Sequence, residues 1–240
     1  MIRNSEPHRG DESEGAEWPR WQDFLNAVAL LTLAPLPRPD RRSEGFGRAT
    51  LFFPLVGLLI GALLVGLNAV IAGRLPHWLA GIALVAAWEA LGRAEVFRAC
   101  LDEGRAGVPV TMASGALLLV KTVAVGATTA ARPAALLFAP MLARWCMVVL
   151  AVGTRDAETA GRKFNSSITF REFALTSVFT FGVVFGMAQA FGLFVVLCAA
   201  GACLVLRLLS HQWANGVSWR FLLASAEGIE ALVAAIVALA

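Results

Sequence analysis

The chain has 240 residues, 58% of them hydrophobic and only 15% charged, with a formal net charge of +3 and a mean hydropathy of +0.70. A soluble domain is about one-half apolar and one-quarter charged, so this balance excludes an ordinary cytosolic enzyme, a secreted domain and a disordered chain. What remains is an integral membrane protein whose expected surroundings are the lipid bilayer, with no nucleic-acid partner; the small net charge itself says little.

Residues 1–22 are polar and mixed in charge, without the apolar stretch of a signal peptide, and are expected to form a disordered cytoplasmic tail. A single transmembrane domain is expected over 23–240. Phe24–Leu36 is apolar but short, and ends in Pro35-Leu36-Pro37-Arg38-Pro39; it predicts an interfacial or re-entrant helix, with a short span as the other reading. Seven stretches are then long enough to cross, or nearly so: 50–72, 77–92, 110–130, 134–153, 173–190, 191–209 and 221–240. The fifth and sixth form one apolar run from Phe173 to Ser210, expected to divide near Gly186–Gln189. The runs are continuous and rich in Ala, Leu and Gly, whereas a closed barrel needs short alternating strands. The expected fold is therefore all-α, a polytopic helical bundle of about seven spans.

Basic residues alternate between the connections. Arg38, Arg41, Arg42 and Arg48 precede the first span, and Arg74 stands alone in the next loop. Arg93, Arg98 and Arg105 come next, then Arg132 alone, then Arg155, Arg162, Lys163 and Arg171. No basic residue separates the fifth and sixth spans, and Arg207 and Arg220 flank the last loop. The rich loops fall on one side, which the positive-inside rule makes cytoplasmic. This predicts a bacterial inner (cytoplasmic) membrane protein with its amino terminus inside and its carboxy terminus outside.

Glu89, Lys121 and Arg144 lie within or at the edge of apolar spans, where a charge near the bilayer centre costs about 2.5–3.5 kcal/mol on insertion scales. Two readings stay open. They pair with one another, or with Glu227 and Glu230, and hold the bundle together; or they form a basic pocket for phosphate. Glu227 and Glu230, three residues apart, share a helix face and are either salt-bridge partners for Lys121 and Arg144 or carboxylates for magnesium. Trp213 and Trp219 read as interfacial anchors. The spacings of Gly57 with Gly61 and of Gly182 with Gly186 predict close helix packing. His8, His77 and His211 are too scattered for a metal site, and the four cysteines form no CxxC pattern.

Several stretches together resemble one family, the cobalamin synthases, which are membrane adenosylcobinamide-GDP ribazoletransferases. The most specific is Gly47-Arg48-Ala49-Thr50-Leu51-Phe52-Phe53-Pro54-Leu55-Val56-Gly57 through Gly61. Phe24 to Thr32 with Pro35 and Pro37, Asp102 to Gly107, Ala139 to Trp145, and Gly216 to Ala224 with Glu227 and Glu230 are similar to further family motifs. The resemblance covers about residues 24–240. It implies a transferase joining a GDP-activated corrinoid to α-ribazole or its phosphate with release of GMP, and magnesium as cofactor. On the matching positions it implies phosphate binding by Arg105, Lys121, Arg144 and Arg220, and metal binding by Glu103, Glu227 and Glu230.

Two departures stand against full activity. The family's acidic segment is replaced by a stretch that begins Trp88-Glu89-Ala90-Leu91-Gly92-Arg93 and is about a dozen residues shorter, and a Gly-Asp pair becomes Trp219-Arg220. Very low or absent turnover is therefore expected, although Glu95, Asp102 and Glu103 could substitute as ligands. The alternative function is an inactive or repurposed paralogue that binds a membrane partner or another copy of itself. A small transporter is ranked last, because no internal repeat is visible.

Overall fold

The computed structural model describes residues 19–37, 45–92, 108–154, 168–214 and 217–240. Among these the chain is helical, with no β-strand. The first helix, α1 (Trp21–Leu31), buries Ala27, Leu30 and Leu31 at helical spacing. Its start is fixed by Asp23, whose Oδ2 accepts from the Arg20 backbone N–H at 2.8 Å. Eleven residues rise about 16 Å, roughly half of a bilayer core, so α1 does not cross. Pro35 and Pro37 prevent its continuation. Instead it lies against the next turn of the chain, where Phe24 meets Phe52 edge-on at 5.7 Å.

A short helix, α2 (Gly45–Ala49), and one 3-10 turn lead into α3 (Phe53–Ile71). Then come α4 (His77–Leu91), α5 (Val108–Ala127), α6 (Arg132–Ala151), α7 (Phe170–Ala214) and α8 (Trp219–Leu239). Among the described residues four helices are long and apolar enough to cross a membrane: Gly47–Ile71, Arg132–Ala151, Phe170–Gln212 and Trp219–Leu239. His77–Leu91 and Met112–Ala127 are apolar but shorter. The chain is thus an all-α membrane bundle, with fewer full-length crossing helices by this measure than the seven stretches expected.

The long apolar run does divide. At 43 residues it would extend about 64 Å, twice a bilayer core, and it breaks at Gln189, whose φ is 49° and ψ −130°. The break doubles the chain back: a Cβ on Gly192 would stand 2.7 Å from the Val184 carbonyl oxygen. Eight residues of straight helix would separate them by about 12 Å.

The bundle is built around α6, whose apolar window is 83% buried, against 28% for α7. Gly57 and Gly61 let α3 approach it backbone to backbone. A Cβ at Gly57 would lie 2.7 Å from Met141 Cα, and one at Gly61 2.8 Å from the Leu136 carbonyl oxygen. That carbonyl is the one deprived of a helical donor by Pro140. In the same way Gly81 of α4 faces Gly126 of α5. Gly182 and Gly186 differ: nothing lies within 4 Å of a Cβ at either position, so this pair packs on nothing within the described chain.

Candidate functional site

The costly charges inside the bundle find one another. Trp88 and Glu89 come from the last turn of α4, Lys121 from α5, Arg144 from mid-α6, and Glu227 and Glu230 from α8. All five charged residues are at most 7% exposed. Lys121 Nζ donates to Glu89 Oε1 at 2.9 Å, to Glu230 Oε2 at 2.6 Å and to Glu227 Oε2. Arg144 Nη1 donates to the other oxygen of Glu230. Below the ammonium lies the Trp88 ring, its centroid 5.1 Å from Nζ, a cation–π contact.

Three carboxylates thus face two cations, leaving one formal negative charge in a buried cluster. The three N–H bonds of an ammonium are all taken. Not every polar atom is satisfied, however. Glu89 Oε2, Arg144 Nε, Trp88 Nε1 and Ser225 Oγ are buried without a hydrogen-bond partner among the described residues. Glu89, Arg144 and Trp88 belong to the cluster, and Ser225 stands two residues before Glu227 on α8. Buried polar atoms are normally paired, and unpaired ones concentrate where a ligand or reacting group is to be met.

Gly92, which caps α4, lets the arginine pack closely on the helix end: a Cβ there would stand 3.1 Å from Arg144 Nη2, a tight contact. The cluster therefore sits under the end of the bundle from which residues 93–107 continue. Glu103 and Arg105, expected in the site, lie outside the described residues, as do Glu95 and Asp102.

The remaining expected residues divide. Lys121, Arg144, Glu227 and Glu230 are brought together as the first of the two open readings has them, in ion pairs. Arg220 is not among them: it is exposed at the second position of α8, about 10 Å along the helix from Glu227. Trp219 is buried within the bundle. Glu89 is the member that the assignment of site residues omitted. Its signal was present, an acid at the end of an apolar span that must find a partner.

Magnesium was expected here from the resemblance. Glu89, Glu227 and Glu230 could in principle hold a metal, since one oxygen from each lies within 4.8 Å of the others. Yet each of the three turns an oxygen toward Lys121 Nζ, which occupies the space between them. Magnesium demands near-octahedral oxygen ligation at about 2.0–2.1 Å, and the residues as arranged do not fit it.

At the opposite end a buried cation has a different task. Arg132 Nε donates to the Val125 and Thr128 carbonyls at 2.8 and 3.0 Å, and Nη2 to His77 O at 3.2 Å. It neutralises the carboxy-terminal carbonyls of α5 and ties the α5–α6 turn to the start of α4. The loops of Arg74 and Arg132 thereby share one end of the bundle.

Sequence comparison decides the ancestry. The profile of the family described as cobalamin-5-phosphate synthase matches residues 23–102 and 89–238. The chain belongs to the cobalamin-5-phosphate synthase family. It is 32% identical over 212 residues to the adenosylcobinamide-GDP ribazoletransferase of Geotalea daltonii, covering 79% of this chain and 84% of that one. It is 33% identical over 198 residues to the enzyme of that name from Pseudomonas paraeruginosa, covering 72% and 78%. With the one from Syntrophobacter fumaroxidans it shares 27% over 243 residues, covering 89% and 96%. No solved structure matches the chain. Every charged member of the cluster falls within the matched stretch 89–238.

Proposed function

We propose that this family member is a ribazoletransferase working at the buried cluster of Glu89, Lys121, Arg144, Glu227 and Glu230. The reaction joins a GDP-activated corrinoid to α-ribazole or its phosphate. A free ribose hydroxyl of the ribazole attacks the phosphorus that carries the corrinoid, the pyrophosphate P–O bond breaks, and GMP leaves. The hydroxyl proton needs an acceptor and the departing phosphate needs positive charge.

The observation that carries the reading is the pair of unpartnered atoms on opposite members of the cluster, Glu89 Oε2 and Arg144 Nε. Glu89, held through its other oxygen by Lys121, is oriented to take the proton. Arg144, held through Nη1 by Glu230, keeps Nε for a phosphate oxygen. Lys121 and the two α8 carboxylates act as positioning residues in this scheme. Arg220, two helical turns before Glu227 on α8 and exposed, would guide the polyphosphate at the mouth, with Arg105 and Glu103 on the adjoining segment.

Glu89 also supports transfer over the inert-paralogue alternative. It places a buried carboxylate in the site from the stretch where the family's acidic segment is shortened. Arg220, meanwhile, stands outside the cluster rather than where a carboxylate ligand would be needed.

The alternation of basic loops supports a mouth on the cytoplasmic face of the inner membrane, reached from within the cell. It lies in one membrane domain, 23–240, behind a polar tail of 1–22 and with the amino terminus inside. The test is direct: the purified protein in lipid, given adenosylcobinamide-GDP and α-ribazole or its phosphate, forms a chromatographically identifiable cobalamin or cobalamin phosphate together with GMP. Neither product appearing, with the protein folded, overturns the proposal.

A further inference from the structure

A lysine ammonium surrounded by three carboxylates is an uncommon arrangement, because one buried carboxylate suffices to pair it. Here Glu89 reaches Lys121 from α4, and Glu227 and Glu230 reach it from α8. The side chain of Lys121 is 1% exposed. Nζ lies between oxygens that are all within 4.8 Å of one another, which is the construction of a cation cage. Three acceptors match the three donors of an ammonium, while the face of Trp88 closes the cage from a fourth side at 5.1 Å.

The cage also has more acceptor capacity than its residues use. Glu89 Oε2, on a side chain only 8% exposed, has no donor among the described residues. With Arg144 counted, the five residues still carry one excess negative charge. An unpaired carboxylate oxygen and a negative balance both call for more cation than the protein supplies.

We infer that Lys121 Nζ is the resident cation of a three-carboxylate cage, standing where a divalent metal would otherwise sit, and that removing the ammonium converts the cage into a divalent-metal site. An ammonium and a metal ion cannot share this volume, since both would draw on the same oxygens and repel each other. The folded protein therefore needs no divalent ion to neutralise its buried acids. The inference rests on the geometry of the cage and is independent of whether the protein turns over.

The probe is Mn2+, read by electron paramagnetic resonance and by thermal denaturation of the full chain in detergent, without substrate. Wild type is expected to show no one-to-one Mn2+ binding and a melting temperature unmoved by EDTA or millimolar Mg2+. Lys121→Met is expected to bind one Mn2+ at least about tenfold more tightly, with a melting temperature that rises with metal. Because Lys121→Met leaves two excess negative charges, the double variant Lys121→Met/Glu89→Gln restores the native balance and gives the same reading if the single variant fails to fold. Adding Glu230→Gln to either should remove the bound Mn2+. Stoichiometric Mn2+ on the wild type, or no gain in a folded Lys121 variant, overturns the inference.

Discussion

Lys121 Nζ stands 2.6 Å from Glu230 Oε2, although 109 residues separate them in the chain. Glu230 also takes Arg144 on its second oxygen, so one carboxylate ties α5 to α6 through α8. Deleting Glu230 brings the cluster to charge balance but takes the carboxylate from buried Arg144, and removing one partner of a buried ion pair costs about 3–5 kcal/mol. Glu230→Ala is therefore expected to lower stability by about that amount in thermal or denaturant unfolding in detergent. Ser225→Ala, which deletes a hydroxyl with no partner among the described residues, should change stability by no more than about 0.5 kcal/mol. Equal losses in the two variants would contradict the account of the cluster.

The close approach of α3 and α6 gives a second expectation. A methyl on Gly57 would meet the backbone of Met141 at 2.7 Å, and backbone cannot swing aside as a side chain can. Gly57→Ala should destabilise by about 1–3 kcal/mol, the usual range for overpacking. Gly182→Ala, with open space around it, should be near neutral. The two substitutions are to be compared by melting temperature in one detergent.

Gln189 turns the chain with a φ of 49°, a conformation that suits glycine. Gln189→Gly is expected to stabilise by about 1 kcal/mol by relieving that strain, and Gln189→Val to destabilise. Stability measurements showing the opposite order would mean that α7 does not break at this residue.

Much of this was legible in the sequence, and the reasons are specific. Apolar run lengths located the helices from α3 to α8, and the length of the Phe173–Ser210 run required a break, found at the end of the expected window. The cost of intramembrane charge announced Lys121 and Arg144 and named Glu89, Glu227 and Glu230 as candidate partners. Which pairs form was not legible, because the contacts span 32, 106 and 109 residues and depend on helix rotation. Glu89 does not stand out as a site residue in the sequence, because the other acids of the family's segment are missing around it. Small-residue spacing identified Gly57 and Gly61 correctly but could not distinguish them from Gly182 and Gly186, since spacing does not say whether a neighbour is present.

Orientation is testable in intact cells. With native cysteines replaced, an impermeant maleimide added outside should label Arg74→Cys and not Arg98→Cys or Arg162→Cys, in keeping with the alternation of basic loops. Labelling of Arg74→Cys and Arg98→Cys from the same side would remove the cytoplasmic placement of the site.

The central claim is that the buried cluster carries out the transfer with Glu89 as its proton acceptor. The most direct measurement is the rate of cobalamin formation by Glu89→Gln against wild type, both in lipid and both shown to be folded by their unfolding transitions. Glutamine keeps the shape and the hydrogen bond to Lys121 but cannot take up the proton. The account predicts a fall in kcat of about 10²–10⁴-fold, with little change in the KM for the corrinoid nucleotide. A folded Glu89→Gln protein that turns over at the wild-type rate would contradict it.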